Sequence, residues 1–141
     1  MALIIRRGFR AMLEAANAEI ISLTAADAIA LHKSAPDKHP MPVFVDLRDP
    51  REREREGAIA GAFHCPRGML EFWIDPESPY AKPLFQEDRY FIFYCASGWR
   101  SALAAKVAQD MGLHPVAHLA GGLSAWREAG GAVVEAPMRH K

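Results

Sequence analysis

Cys95 stands where an apolar run, Tyr90-Phe-Ile-Phe-Tyr94, gives way to Ala96, Ser97, Gly98, Trp99 and Arg100. The thiolate is the reactive form of cysteine, and helix N-termini and neighbouring cations favour it. Residues 100–111 are Ala-rich and stop at Gly112, which predicts a helix. Its first N–H groups then point back toward the sulfur. Ala96, Ser97 and Gly98 are small enough for the loop to curl with its amides inward. Gly98 can supply a positive φ if the curl requires one, and Arg100 adds a fixed cation. Together these features describe a shallow anion cradle with a nucleophile at its base. A lone cysteine at a strand end is otherwise an ordinary small hydrophobe. The loop composition, the arginine and the helix start together favour the nucleophile.

Other residues carry weaker signals. Cys65, before Pro66, is the only other cysteine. It reads as a packed core thiol rather than a partner that resolves Cys95 into a disulfide. Two cysteines without a CxxC spacing make no disulfide framework, so a reducing cytoplasm is the simplest setting. Asp46 and Arg48 close the apolar run 43–47. Arg48 either helps bind an anionic donor or joins Asp46 in pinning loops, the commoner role for such pairs. Trp99 either walls the sulfur or packs under a neighbouring loop. A protease-type dyad of Cys95 with His64 would need an oxyanion hole and an orienting third group, and no other motif supports one. The six histidines show no zinc-type spacing. His114 and His118 share a segment that reads as a strand, where they would lie on one face about 13 Å apart.

The elements that must position these residues follow from the pattern. Residues 3–19 predict a helix weakened at Gly8. Ile20 and Ile21 start a short strand, and Thr24 to Asp27 resembles a cap that opens a helix to about His32. Residues 34–42 form a Pro-rich loop, and 43–47 fit a buried strand. In the REREREG run that follows, Arg51–Glu54 and Glu52–Arg55 pairs are expected on a short, solvated helix. Residues 57–63 read as a turn and a strand, and 68–74 as a short helix. Strand 90–94, helix 100–111, strand 115–119, a Gly121-Gly122 turn and helix 123–129 complete the chain. Alternating strands and helices predict an α/β domain with a mainly parallel five-stranded sheet and helices on both faces. Cys95 falls at the carboxyl end of its strand, where open α/β sheets bind ligands.

Composition narrows the function classes. The 141 residues suit one domain, and half are hydrophobic, enough for a core without disulfides. Seventeen basic and seventeen acidic side chains leave no net charge, so no nucleic-acid partner is expected. No apolar run is long enough for a membrane span. The N-terminal apolar patch precedes its arginines, the wrong order for a secretory signal, and reads as mature protein.

Four stretches resemble one family, the rhodanese-like sulfurtransferases. They are Val43-Phe-Val-Asp46-Leu-Arg48-Asp49, Gly57-Ala-Ile-Ala-Gly61-Ala62-Phe-His64, Cys95-Ala-Ser-Gly-Trp-Arg-Ser101 and Leu119-Ala-Gly121-Gly122-Leu-Ser-Ala-Trp126. They occur in the family's order and span nearly the whole chain. The resemblance implies a rhodanese-like domain over residues 20–136, preceded by an N-terminal helical extension over 1–19. It implies that Cys95 carries a sulfane sulfur as a persulfide, taken from thiosulfate or a similar donor and passed to cyanide or a thiol. Ala96, Ser97, Gly98, Trp99 and Arg100 would then bind substrate, with Arg48 as a further candidate, and no cofactor or metal is expected. Related phosphatases use a loop one residue longer, C-x5-R. The C-x4-R ring from Cys95 to Arg100 suits a single sulfur better than a tetrahedral phosphate. The competing class is a non-enzymatic module that binds a protein partner through this face, although an intact Cys and Arg weigh against it. The expected partners are a small sulfur donor and acceptor. Leu3, Ile4, Ile5, Phe9, Met12 and Leu13 form an apolar stripe that its own domain or a second copy of the chain must cover, so a homodimer stays open. Residues 66–85 exceed a minimal core and either wall the Cys95 pocket or serve only as extra core cover.

Overall fold

The computed structural model describes residues 2–137. Its five parallel strands are β1 (Ile21–Leu23), β2 (Met41–Asp46), β3 (Phe63–His64), β4 (Arg89–Tyr94) and β5 (Val116–Leu119), in the order β1-β5-β4-β2-β3. The helices are α1 (Phe9–Glu19), α2 (Ala25–Ser34), α3 (Pro50–Glu56), α4 (Leu70–Ile74), α5 (Trp99–Met111) and α6 (Gly122–Glu128).

Side-chain alternation along the central strands builds two cores. Val43, Val45, Leu47, Phe91 and Phe93 face α4 and α5. Phe44, Ile92 and Tyr94 face the other way, toward Ala28 of α2 and Trp126 of α6. Helix α5 lies close on the sheet because the side chains it buries, Ser101, Ala102, Ala104, Ala105 and Ala108, are all small. Helix α1 covers the outer side of α5 and buries Ala16. It is tied there by Gln109 Nε2 on Glu19 O (2.9 Å) and by the Lys106–Glu19 pair.

Four local expectations change. The first helix begins at Phe9, with extended Gly8 as its N-cap, and Leu3 and Ile4 are 81% and 87% exposed. Without a face to pack on, that short segment lacks what stabilises most helices. The expected strand over 57–63 shrinks to Phe63–His64, because Gly57 and Gly61 both take positive φ. Ala58 instead makes an antiparallel bridge with Val134. His114 precedes β5 rather than sharing it with His118. Residues 66–85 pack Leu70, Ile74 and Phe85 into the α5-side core. They contribute nothing to the two cavities that border the Cys95 loop, so the pocket-wall reading gives way to extra core cover.

The turn before α6 is tightly constrained. Gly122 has φ +61, and a Cβ there would lie 2.6 Å from the carbonyl oxygens of Cys95 and Ala96. Gly112 also has positive φ, but nothing lies within 4 Å of a Cβ at that position. Gly112→Ala should therefore cost only backbone strain, about 1 kcal/mol. Gly122→Ala should cost clearly more, because backbone must move. Thermal melts of the two variants test this ordering.

Candidate active site

Cys95 follows the last residue of β4, and its sulfur points to the α5 face in register with Phe91 and Phe93. Two backbone bonds shape the loop beyond it. Leu123 N–H donates to Cys95 O (2.9 Å), and Ser124 N–H donates to Ala96 O (3.1 Å). In a trans peptide the C=O and the next N–H point in opposite directions. Holding these two carbonyls against α6 therefore turns the amides of Ala96 and Ser97 away from it, toward the inside of the loop. Gly98, with φ +105, closes the curl and donates its N–H to Cys95 Sγ at 3.1 Å. Trp99, Arg100 and Ser101 form the first turn of α5, whose N–H groups have no intrahelical acceptor. Of the predicted cradle, the Gly98 N–H meets the sulfur of Cys95, which is 1% exposed.

A second set of groups meets the sulfur from below. Cys95 Sγ lies 3.6 Å from Ser101 Oγ, which lies 3.0 Å from His118 Nδ1. His118 Nε2 in turn lies 3.1 Å from Ser22 Oγ. His118 is buried, and desolvation pushes its imidazole down to about 4. Sequence reasoning missed this file. Strand alternation could have put His118 on the α5 face, but not opposite Ser101.

Arg100 does not stand free beside the sulfur. Its Nη1 and Nη2 each donate to a carboxylate oxygen of Glu52 at 2.8 Å, a bidentate pair. The hydrogen bond from Arg100 holds Glu52 down at about 2, and Glu52 raises Arg100. This corrects the solvated reading of the REREREG run. Asp49 and Glu52 form a capping box, with Asp49 Oδ1 accepting from Glu52 N and Glu52 Oε2 accepting from Asp49 N. That box orients Glu52 toward Arg100 instead of Arg55, and Arg55 pairs with Glu56. The acid in the cap was legible as D-x-x-E, but its partner 48 residues away was not.

Asp46 is fully buried and accepts from Arg48, Arg53 and Tyr94 at 2.8 to 3.0 Å. Burial alone would raise Asp46, yet the bonds and charge of Arg48 outweigh it and leave the carboxyl below its ordinary value. Arg48 also donates to Gly57 O, lies over the Tyr94 ring and is 1% exposed. It lines a cavity of about 280 Å³ beside Ala96, together with Glu52, Leu123 and Arg127. Its guanidinium nevertheless serves the loop-pinning role.

The remaining candidates separate from the sulfur. Trp99 is 58% exposed and packs against Phe9 of α1, with ring centroids 4.9 Å apart and the rings tilted by 43°. His64 Nε2–H donates to Arg48 O at 2.6 Å. Cys65 is fully buried, and burial pushes its thiol up to about 12. Strand register places Asp46 beside both His64 and Tyr94, so Leu47 separates Cys65 from Cys95. Two strand spacings, about 10 Å, exceed the reach of a disulfide. Among the described residues no cluster of His, Cys, Asp and Glu could hold a metal ion, and no helix is long and apolar enough to cross a membrane.

A parallel α/β sheet with a cysteine cradled between a strand end and a helix N-terminus defines a class of Cys-dependent domains. Residues 25–129 match the family model of the rhodanese-like domain, and the chain belongs to that family. A solved protein of unknown function from Rhodopseudomonas palustris, described as a possible tyrosine phosphatase, is 65% identical with a TM-score of 0.90, over 95% of this chain and 99% of that one. The polysulfide-sulfur transferase homodimer of Wolinella succinogenes is 28% identical with a TM-score of 0.65, over 94% of this chain and 91% of that one. Human thiosulfate:glutathione sulfurtransferase is 29% identical over 89 residues, 59% of this chain and 76% of its own length. The matched stretch spans 44% of an uncharacterized Synechocystis protein and 63% of a putative mitochondrial thiosulfate sulfurtransferase of Schizosaccharomyces pombe.

The Glu52–Arg100 pair predicts a pH effect. Glu52 is depressed from 4.5 to about 2, so its contribution to stability is full above pH 4.5 and is lost as pH falls through about 2. Glu52→Gln should flatten the loss of stability in that window relative to the native chain. Urea unfolding at several acidic pH values measures the difference.

Proposed function

We propose that this protein is a sulfurtransferase that carries a sulfane sulfur on Cys95. The observation that carries this reading is the buried Cys95 sulfur at the start of α5, with the Gly98 N–H on it at 3.1 Å. A Cys95 thiolate attacks the outer sulfur of thiosulfate. The new S–S bond forms as the old one breaks, and sulfite leaves with the electron pair. A thiolate or cyanide then attacks the outer sulfur of the persulfide, and Cys95 leaves as thiolate. Each state at the site is anionic, so the same fixed dipoles serve all of them. Arg100, directed by Glu52, orients the anionic donor at the rim. The sulfurtransferase names among the relatives support this reading, and the Wolinella protein makes polysulfide a donor worth testing beside thiosulfate. That homodimer aligns along 94% of this chain, which makes a second copy a candidate cover for Leu3, Ile4 and Phe9.

The phosphatase description of the Rhodopseudomonas protein supplies a second reading. The four-residue spacer opposes it, since the ring it closes is one residue shorter than the C-x5-R loop that cradles a tetrahedral phosphate. Incubation with thiosulfate should add one sulfur atom to the native protein by mass spectrometry. Cys95→Ser should abolish both this adduct and thiocyanate formation, while Cys65→Ser keeps most activity. Hydrolysis of p-nitrophenyl phosphate without a sulfur adduct would replace this reading with the phosphatase one. Arg100→Ala should raise KM for thiosulfate about ten-fold or more, the loss of one charge-assisted contact, and leave a neutral donor less affected.

A further inference from the structure

Cys95, Ser101 and His118 are 1%, 0% and 3% exposed, so the groups bonded to the buried thiol are its nearest partners for proton transfer. Two groups are hydrogen-bonded to the sulfur, the Gly98 N–H and the Ser101 hydroxyl. An amide N–H cannot accept a proton, but a hydroxyl can. From Ser101 the contacts continue to His118 and then to Ser22, which is exposed. His118 and Ser22 line a cavity of about 340 Å³ that lies across the loop from the one lined by Arg48 and Glu52. The path therefore leads from a buried sulfur to water on the side of α1 and β1.

We propose that Ser101, His118 and Ser22 form a proton exit for the Cys95 thiol and then a file of donors that stabilises the resulting thiolate. The Cys95 proton passes to Ser101 Oγ as the Ser101 proton passes to His118 Nδ1. The proton on His118 Nε2 leaves through Ser22 to water in the cavity. The S–H bond breaks with its electron pair left on sulfur, and one proton reaches solvent. Both serines and His118 end neutral, with every hydrogen bond reversed. Ser22 now donates to Nε2, Nδ1–H donates to Ser101, and Ser101 donates to the sulfur anion. No imidazolium has to be stored, which agrees with the desolvation of His118.

Ser101 Oγ also lies 3.3 Å from Gly98 O, a longer contact than the 3.0 Å to His118 Nδ1, and the competition around the file is otherwise slight. Arg100 of α5 faces Cys95, with Glu52 of α3 behind it. Around His118, β1 and β4 place Ser22 and Phe93 alongside, α5 contributes Ser101, and α1 brings Leu13 and Asn17 to the shared cavity. None of these carries a charge. Ser101 and His118 are thus positioning residues that act on sulfur chemistry through hydrogen bonds.

The inference rests on Cys95 being the nucleophile and does not require sulfur transfer. The test therefore reads iodoacetamide alkylation of Cys95 in the full chain, followed by mass spectrometry from neutral to alkaline pH. A failed sulfur-transfer assay with the alkylation result intact would overturn the proposed function and leave the exit standing. Ser101→Ala should slow alkylation about ten-fold at neutral pH, as one hydrogen bond to an anion is lost. The difference should vanish at alkaline pH, where the thiol ionises regardless. Ser101→Thr should restore the rate. His118→Phe should slow it as well, and so should His118→Asn, whose amide can donate to Ser101 but cannot pass a proton on. Because His118 acts through Ser101, the Ser101→Ala/His118→Phe double variant should be no slower than Ser101→Ala alone. Native rates in the folded single variants, or a double variant slowed by the product of the two effects, would overturn the proposal. Ser101→Ala removes only a hydroxyl and decides the matter even if His118→Phe does not fold.

Discussion

Everything at the site depends on where the backbone carbonyls of Cys95 and Ala96 point. Peptide planarity couples each carbonyl to the amide that follows it. Two N–H groups at the start of α6 hold those carbonyls at 2.9 and 3.1 Å, and this turns the next amides inward. The turn can come this close only because residue 122 has no Cβ, which would meet both carbonyl oxygens at 2.6 Å. A contact between α6 and the loop therefore decides the shape of a pocket whose chemistry belongs to β4 and α5.

Charge is handled in two ways around that loop. Asp46 sits in the interior, saturated by Arg48, Arg53 and Tyr94, and locks the ends of β2, α3 and β4 together. A buried pair of this kind is weak evidence for net stability, but removing one partner would strand the other. The Arg100–Glu52 pair lies farther out, with 40% of the arginine side chain and 18% of the glutamate side chain exposed. An exposed cation with a fixed partner is aimed without being neutralised by burial. The same capping box that starts α3 supplies the aiming carboxylate.

The two cysteines show how little residue type decides by itself. Cys65 and Cys95 face the same side of the sheet with Leu47 between them. Cys65 is packed among apolar groups, and its sulfur faces the carbonyl oxygen of Pro66 at 3.8 Å. Burial without donors holds that thiol protonated. Cys95 is as deeply buried, yet it meets an amide and a hydroxyl. Burial is the same in both; the polar groups within reach differ.

Local sequence determined the elements and their order. Apolar runs at 43–47 and 90–94, the small residues after Cys95 and the glycines at 112 and 121–122 carry their conformations with them, because propensity, caps and positive φ act within a few residues. The α/β class, the carboxyl-end position of Cys95 and the positive φ of Gly98 beside it were legible for that reason. Tertiary structure decided what crosses between elements. The Glu52–Arg100 pair, the approach of α6 to the loop, the packing of Trp99 against Phe9 and the file from Cys95 through Ser101 and His118 to Ser22 join residues from different elements, most of them far apart in the chain. Sheet order and helix packing create those neighbours, and no short-range pattern records them. The sequence by itself determined which residue is the nucleophile candidate, and the packing of α1, α3, α6, β1 and β5 around it decided which groups its sulfur meets.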